Sequence, residues 1–162
     1  MIQAGLKERP LSVNLQLAWA SLLISKGDND AAILAYEAIL KDQPGSLLAA
    51  NNLASLLSDN RADRASLDRA AALSDALKVS NVPQYQDTVG WVDYRLGKTA
   101  DATRILEAVT EQAPKFAAAR YHLAMSYVAA GQTAQAAEQF KTALNLEPDG
   151  TELKDKIRAA MR

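Results

Sequence analysis

Apolar and small residues recur along this chain at helical spacing, in short stretches that glycine or proline interrupts. In the last full pair of stretches, Leu123 and Tyr127 share one face of a predicted helix, and Gly131 follows as the residue that ends it. The next predicted helix carries Phe140 on its apolar face, and Pro148 stops it. The pattern therefore predicts pairs of helices joined by short turns, and it contains no alternation typical of strands.

The scarce glycines and prolines repeat at a fixed interval. Three pairs are each separated by 34 residues: Gly97 and Gly131, Pro114 and Pro148, and Pro10 and Pro44. Small residues share this register, and they are Ala20, Ala54, Gly90 and Ala124 before the turn and Ala32, Ala70, Ala102 and Ala136 after it. A hairpin of this kind cannot bury its apolar face alone, so we expect successive hairpins to stack as a solenoid.

This pattern resembles the tetratricopeptide repeat. The clearest unit carries Leu123, Ala124, Tyr127, Gly131, Ala136, Phe140, Ala143 and Pro148 at signature positions. The resemblance implies an all-α, right-handed superhelical solenoid of helix-turn-helix repeats with a C-terminal capping helix. The expected divisions are 1–12 as the end of a truncated preceding repeat, 13–46, 47–82, 83–116 and 117–150 as four repeats, and 151–162 as the cap.

The second repeat and the two ends depart from the regular pattern. A polar stretch over residues 58–66 lacks the usual turn glycine, so we expect a longer inter-helix loop there. That loop is either specific to a partner or a neutral insertion. Residues 4–10 match the last turn of a repeat, which suggests a piece of a longer array. The C-terminal segment places Leu153, Ile157, Ala160 and Met161 on one face, as a cap would.

Composition narrows the class of protein. The 18 Lys and Arg against 19 Asp and Glu leave a net charge of −1, which argues against a nucleic-acid binder or an anionic-membrane binder. The chain contains no cysteine, which excludes disulfides, thiolate metal sites and cysteine nucleophiles. No apolar run approaches the roughly 20 residues that a membrane-spanning helix needs. We therefore expect neither nucleic acid as a partner nor direct membrane insertion.

Catalytic chemistry has little support in this sequence. His122 is the only histidine, and its own helix face offers no carboxylate at helical spacing that would complete a triad. Paired carboxylates such as Asp28 and Asp30 stand at a predicted turn, where helix capping explains them. Glycine-rich phosphate loops are missing. We expect no enzyme activity, no metal site and no cofactor.

The resemblance implies that the first helix of each repeat lines a concave groove in which peptides bind. The inward positions that we take as a candidate site are Asn51, Asn52, Ser55, Asp87, Thr88, Trp91, Tyr94, Arg95, Tyr121, His122 and Met125. Aromatic and arginine side chains are typical interface hot spots, and the two asparagines could hydrogen-bond a peptide backbone. In the alternative interpretation, Trp91 and Tyr94 pack between neighbouring helices without any ligand.

We therefore expect a non-catalytic scaffold that binds a peptide or a helix of a partner protein in its groove. A related subtype grips the C-terminal carboxylate of chaperone tails with Lys and Arg. The matching positions here are Leu17, Ser21, Asn52, Gln84 and Thr88, of which only the asparagine fits, so chaperone tails are not expected. The alternative function is a structural spacer or self-assembly module that uses its end faces, because a truncated first repeat would leave an apolar face uncovered.

A narrower resemblance concerns residues 87–97 and 120–124. These runs are similar to the C-terminal repeats of large bacterial tetratricopeptide lipoproteins associated with exopolysaccharide and exosortase systems. The resemblance implies a bacterial source and a secreted, lipid-anchored parent protein. From the residues themselves, the bacterial cytoplasm and the periplasm both remain open, since the lack of cysteine does not separate them.

Overall fold

The computed structural model describes residues 12–162. Within that range the chain forms nine α-helices and no strand. The helices are α1 (Val13–Ser25), α2 (Asn29–Asp42), α3 (Leu47–Asn60), α4 (Arg64–Asp75), α5 (Pro83–Arg95), α6 (Thr99–Gln112), α7 (Ala117–Ala129), α8 (Thr133–Leu146) and α9 (Glu152–Ala160). The expected all-α fold is confirmed. The expected half-repeat at the N-terminus lies, except for Ser12, outside the described residues.

The chain divides into two compact units, Met1–Leu77 and Lys78–Arg162. The described part of the first unit contains the hairpins α1–α2 and α3–α4, and α2 packs against α3. The second unit contains the hairpins α5–α6 and α7–α8 followed by α9, and α6 packs against α7. Each range expected to be a repeat therefore holds one helical hairpin. The repeat boundaries themselves stay a prediction.

Small residues stand where the two helices of a hairpin approach each other. Ala20, Ala54 and Ala124 are fully buried, and so are Ala32 and Ala102 on the second helices. Because alanine adds only a methyl group, the helix backbones come close, and larger side chains fill the space alongside. Among those larger side chains, Tyr36, Leu106 and Phe140 are buried at the equivalent positions of three hairpins.

Three glycines end the first helices of their hairpins. Gly27, Gly97 and Gly131 have φ angles of 76°, 78° and 74°. This left-handed conformation strains any residue with a Cβ atom, which explains the glycine at these turns. The chain then enters the second helix within two residues, so each of these hairpins is tight.

The second hairpin does not contain the longer loop that the sequence suggested. Three residues, 61–63, separate α3 from α4, as many as in the other hairpins. The polar run starts inside α3, where the buried Ser58 donates its Oγ hydrogen to the carbonyl oxygen of Ser55 at 3.0 Å. Asp63 caps α4 by accepting a hydrogen bond from the amide of Ser66 at 2.9 Å. Polar side chains that bond to the backbone are compatible with helix, so polarity alone did not indicate a loop.

The inserted residues lengthen the start of α4. Ala70, which holds the small position, is the seventh residue of α4, whereas Ala102 is the fourth residue of α6. The additional residues therefore form about one extra helical turn before the packed alanine. In compensation, α4 ends five residues after Ala70, and the fully buried Leu77 follows beyond the helix end.

The last helix covers the core of the second unit. Ile157 is fully buried in a cluster with Leu123, Tyr127 and Phe140, and Leu153 packs against the same cluster. Of the four residues expected on the apolar face of this helix, Ala160 and Met161 are exposed, and they stand at its C-terminal end. Two of the four therefore attach α9 to the hairpin before it.

Candidate interaction surface

In the first unit, the candidate residues lie on α3 and hydrogen-bond to each other and to α2. The Nδ2 of Asn51 donates to Oδ1 of Asn52 at 3.1 Å, and Nδ2 of Asn52 donates to the hydroxyl of Tyr36 at 3.2 Å. Ser55 donates to Oδ2 of Asp59 at 3.5 Å, a long and weak contact. Oδ1 of Asn51 is buried and has no hydrogen-bond partner within residues 12–162. Both the oxygen and the nitrogen of the Asn52 amide therefore already hydrogen-bond to other side chains of the protein.

In the second unit, three of the candidate residues are buried on α5. Asp87 and Thr88 are each 5% exposed and Trp91 is 7% exposed. Thr88 donates its hydroxyl hydrogen to the carbonyl oxygen of Gln84 at 3.2 Å, as hydroxyls inside helices often do. Burial of Trp91 agrees with the interpretation in which this ring packs between helices, and it leaves little of the ring for a ligand.

Four rings from α5 and α7 form a group that we call the aromatic cluster: Trp91, Tyr94, Tyr121 and His122. The ring centroid of Trp91 lies 4.8 Å from that of Tyr94 and 4.2 Å from that of His122, and both pairs are stacked. Tyr121 is tilted against Trp91 with a centroid distance of 6.1 Å. The guanidinium carbon of Arg95 lies 5.9 Å from the Trp91 centroid, within the range of a cation–π contact. Trp91 is thus the centre of the cluster.

A buried carboxylate and the single histidine form a pair that sequence analysis missed. Nδ1 of His122 lies 2.8 Å from Oδ1 of Asp87, and the two side chains are 13% and 7% exposed. The partner of His122 is not on its own helix, because Asp87 stands on the first helix of the preceding hairpin. The two residues are 35 positions apart. A search at one repeat length, plus or minus one residue, would have found the pair.

The Asp87–His122 pair does not extend into a catalytic triad. Within residues 12–162, neither side chain hydrogen-bonds to a serine or threonine hydroxyl. The same range contains no group of three His, Asp or Glu side chains placed to hold a metal ion. The pair joins α5 to α7 through His122, which is itself a member of the aromatic cluster.

Five candidate residues of the second unit are half-buried: Tyr94, Arg95, Tyr121, His122 and Met125. Tyr121 and Met125 pack with one side against the core that α9 covers, and Tyr121 lies 6.1 Å from the ring of Phe140. Their other sides remain accessible. A half-buried side chain is held in place by its packing and still offers contact area, which is the usual condition of an interface anchor.

A separate cleft of about 430 Å³ is lined by residues of α6, α7 and α8. In it, the hydroxyl of Tyr127 donates to Oε1 of Glu107 at 2.7 Å. Burial of the ring, together with this hydrogen bond to Glu107, raises the pKa of Tyr127 to about 12. Arg120 donates to the carbonyl oxygen of Pro114 at 2.9 Å and to Oε1 of Gln139 at 2.7 Å. The bond from Tyr127 to Glu107 joins neighbouring hairpins, whereas Arg120 bonds to the loop before its own helix and to α8 of its own hairpin.

Comparison with known proteins agrees with the repeat geometry. Two sequence models described as tetratricopeptide repeat match residues 17–78 and residues 94–160. The chain belongs to the tetratricopeptide-repeat family. The predicted resemblance to the tetratricopeptide repeat is therefore confirmed. Repeats of this family indicate a scaffold for protein–protein interaction. No helix in the described range is long and apolar enough to span a bilayer.

The relatives of this tetratricopeptide-repeat chain include a bacterial protein and several solved structures. It is 34% identical to the TPR repeat-containing protein PA4667 of Pseudomonas aeruginosa over 115 residues, which are 70% of this chain and 19% of that protein. The chain thus spans about a fifth of that relative. It superposes on TTC0263, a thermophilic TPR protein in Thermus thermophilus, with a TM-score of 0.77 and 21% identity, covering 99% of this chain and 87% of the other. A tetratricopeptide repeat protein from Parabacteroides merdae gives 0.75 and 18%, covering 99% and 63%. The two structures show the fold alone.

Proposed function

We propose that this protein is a non-catalytic scaffold that binds a peptide or a helix of a partner protein through the first helices of its hairpins. One observation carries the proposal: aromatic, methionine and arginine side chains gather, half-buried, on α5 and α7 of the second unit. Aromatic, methionine and arginine side chains offer a large contact area and are enriched at interfaces, where they commonly act as anchors.

The candidate residues take two different parts in this proposal. Asp87, Thr88 and Trp91 are buried and support the surface from below. Tyr94, Arg95, Tyr121, His122 and Met125 provide the contact area of the second unit. In the first unit, Asn51, Asn52 and Ser55 supply polar groups. Oδ1 of Asn51 is buried without a partner in the described residues, and a side-chain rearrangement would let it accept a backbone N–H of a peptide.

A capture experiment tests the proposal. The wild-type chain and the double variant Tyr94→Ala with Tyr121→Ala are immobilised and exposed to lysate of the source bacterium. Circular dichroism and a melting curve first establish that the double variant is folded. Val79→Ser is the matched control, because Val79 is 89% exposed and lies outside the aromatic cluster. We expect proteins that the wild type and the control retain and the double variant loses. An identical set on all three chains would contradict binding at this surface.

A second function, self-association through an end face, has one specific observation in its favour. Leu34 on α2 is 65% exposed, whereas Arg104 and Glu138 occupy the equivalent positions of the last two hairpins. A large exposed apolar side chain at a position that is charged in those two hairpins suits contact with another protein surface. Light scattering over a dilution series tests this function, with Leu34→Lys as the variant. A wild-type chain that stays monomeric at the highest concentration would exclude it.

The relation to exopolysaccharide- and exosortase-associated lipoproteins stays a prediction. It would place this chain within a larger, lipid-anchored parent whose repeats hold a partner at the membrane surface. An antibody against this chain would then detect a larger protein in the membrane fraction of the source bacterium. Detection only in the soluble cytoplasmic fraction would contradict it.

A further inference from the structure

The two ring nitrogens of His122 have different surroundings. Nδ1 lies 2.8 Å from a carboxylate oxygen of Asp87, which is largely buried and therefore restricted in its rotation. Nε2 makes no hydrogen bond within residues 12–162. In that range, the polar side-chain atoms that are both buried and without a partner belong to other residues: Oδ1 of Asn51, Oγ1 of Thr103 and Oγ of Ser126. Because Nε2 has no partner and is not one of these buried atoms, it retains contact with solvent. One nitrogen is thus occupied inside the protein and the other is available at the surface.

The partner of Nδ1 decides where the imidazole carries its proton. An ionised carboxylate accepts hydrogen bonds and does not donate them, so the hydrogen between the two side chains belongs to Nδ1. In the neutral imidazole the other nitrogen, Nε2, then has a free lone pair. We infer that Asp87 is a positioning residue that holds His122 in this tautomer and thereby presents Nε2 to a partner as a hydrogen-bond acceptor.

The orientation of the ring is restricted a second time. Stacking on Trp91, at a centroid distance of 4.2 Å and an interplanar angle of 19°, restrains rotation of the imidazole. Trp91 itself is held by Tyr94 and Tyr121. The acceptor therefore has a set direction, and the ring centroid of Tyr121 lies 5.6 Å from that of the imidazole. A preorganised group of this kind binds with less loss of entropy.

This arrangement defines the partner's chemistry, and that step rests on the proposed function. The rings of Tyr94 and Tyr121 favour a flat apolar group, and the Nε2 acceptor favours an N–H or O–H at the edge of that group. A tryptophan or tyrosine side chain of a partner peptide combines both. The surface of the second unit therefore selects a segment with such an aromatic residue over one with phenylalanine, which has no donor.

The tautomer can be measured on the unliganded chain. Because the sequence contains one histidine, the imidazole ¹⁵N resonances belong to His122, and their couplings to the ring C–H protons distinguish Nδ1 from Nε2. At about pH 8.5, where imidazoles are ordinarily neutral, we expect a protonated Nδ1 and a bare Nε2 in the wild type. Asp87→Ala should lose this preference, and Asp87→Asn should weaken or reverse it, because an amide can donate a hydrogen bond to Nδ1 as well as accept one from it. A wild-type spectrum with the proton on Nε2 would overturn the inference even if Asp87→Ala fails to fold.

Indole and 1-methylindole test the acceptor, since they differ in the N–H alone. Indole should shift the Nε2 resonance in proportion to its concentration, and 1-methylindole should shift it several-fold less. Equal shifts would show that no hydrogen bond to Nε2 forms and would refute the acceptor role. Both experiments are independent of the lysate capture. If they succeed while Tyr94→Ala with Tyr121→Ala still captures the same proteins, the positioning role stands and the proposed function fails.

Discussion

A Cβ atom placed on Gly90 would lie 2.7 Å from Cγ of Leu106 and 2.9 Å from its Cδ2. Carbon atoms in contact are ordinarily about 3.5–4.0 Å apart. Leu106 is fully buried, so it has little space into which to withdraw. The sequence pattern places Gly90 at the small position of its repeat, where the other hairpins have alanine. Because α5 and α6 approach so closely here, even the Cβ atom of an alanine would be crowded.

Gly90→Leu should lower the free energy of unfolding by about 1–3 kcal/mol, because it overpacks this contact. Urea denaturation measures the effect. Gly45→Ala is the matched control, since a Cβ there would have no atom within 4 Å. The control should change stability by less than about 0.5 kcal/mol. A denaturation curve of Gly90→Leu that coincides with that of the wild type would disprove the contact.

Trp91→Ala should destabilise the fold by about 3–5 kcal/mol, as expected for an aromatic residue removed from a core. The reason is that Trp91 is 7% exposed and stacks on Tyr94 and His122. Thermal unfolding followed by circular dichroism measures the loss, and Val79→Ala serves as the surface control. Full stability of Trp91→Ala would instead identify Trp91 as an exposed anchor and require a different account of the surface.

Tyr127 should make stability fall in alkaline solution. Its pKa in the folded chain is raised from 10 to about 12, by burial first and by Glu107 second. The folded state therefore binds the proton more tightly, so this stability is complete below about pH 10 and is lost between about pH 10 and pH 12. Tyr127→Phe should show a shallower decline over that range, measured by urea denaturation at stepped pH. Parallel declines in the two proteins would contradict the assignment.

Ile157→Ala should cost about 2–5 kcal/mol, since the side chain is fully buried where α9 covers the last hairpin. Met161→Ala offers a control on the same helix end, because Met161 is 48% exposed. Hydrogen exchange should show faster exchange of α7 and α8 amides in Ile157→Ala than in the control. Unchanged protection of both helices would mean that α9 does not stabilise this core.

Much of the fold was predictable because its determinants are local. The turn glycines adopt a conformation that other residues avoid, and the prolines stop the second helices, so both mark helix ends directly. The wrong prediction of a longer loop at residues 58–66 has an equally local origin. Ser58 and Asp63 are residues that loops prefer, yet their side chains hydrogen-bond to helical backbone here. The residue type alone does not show whether a serine or an aspartate stands in a loop or bonds to the backbone of a helix.

The candidate surface was predictable only in part. Helical spacing placed Trp91, Tyr94 and Arg95 on one stripe, but that stripe contains both buried and accessible side chains. Which of them remain accessible depends on the helices packed alongside, as the rings of Tyr121 and His122 against Trp91 show. The sequence pattern predicts Asp87 as a groove residue, whereas in the structure it is buried and has a partner from another hairpin.

By itself the sequence determined an all-α chain of helical hairpins, because periodicity, small residues and turn glycines act within about one repeat of 34 residues. Tertiary structure alone decided that Trp91 is buried, that Gly90 touches Leu106 and that Asp87 meets His122. Each of these contacts joins two different helices. Their distances and burial follow from how the backbones approach in space, which the spacing of residues along one helix does not specify.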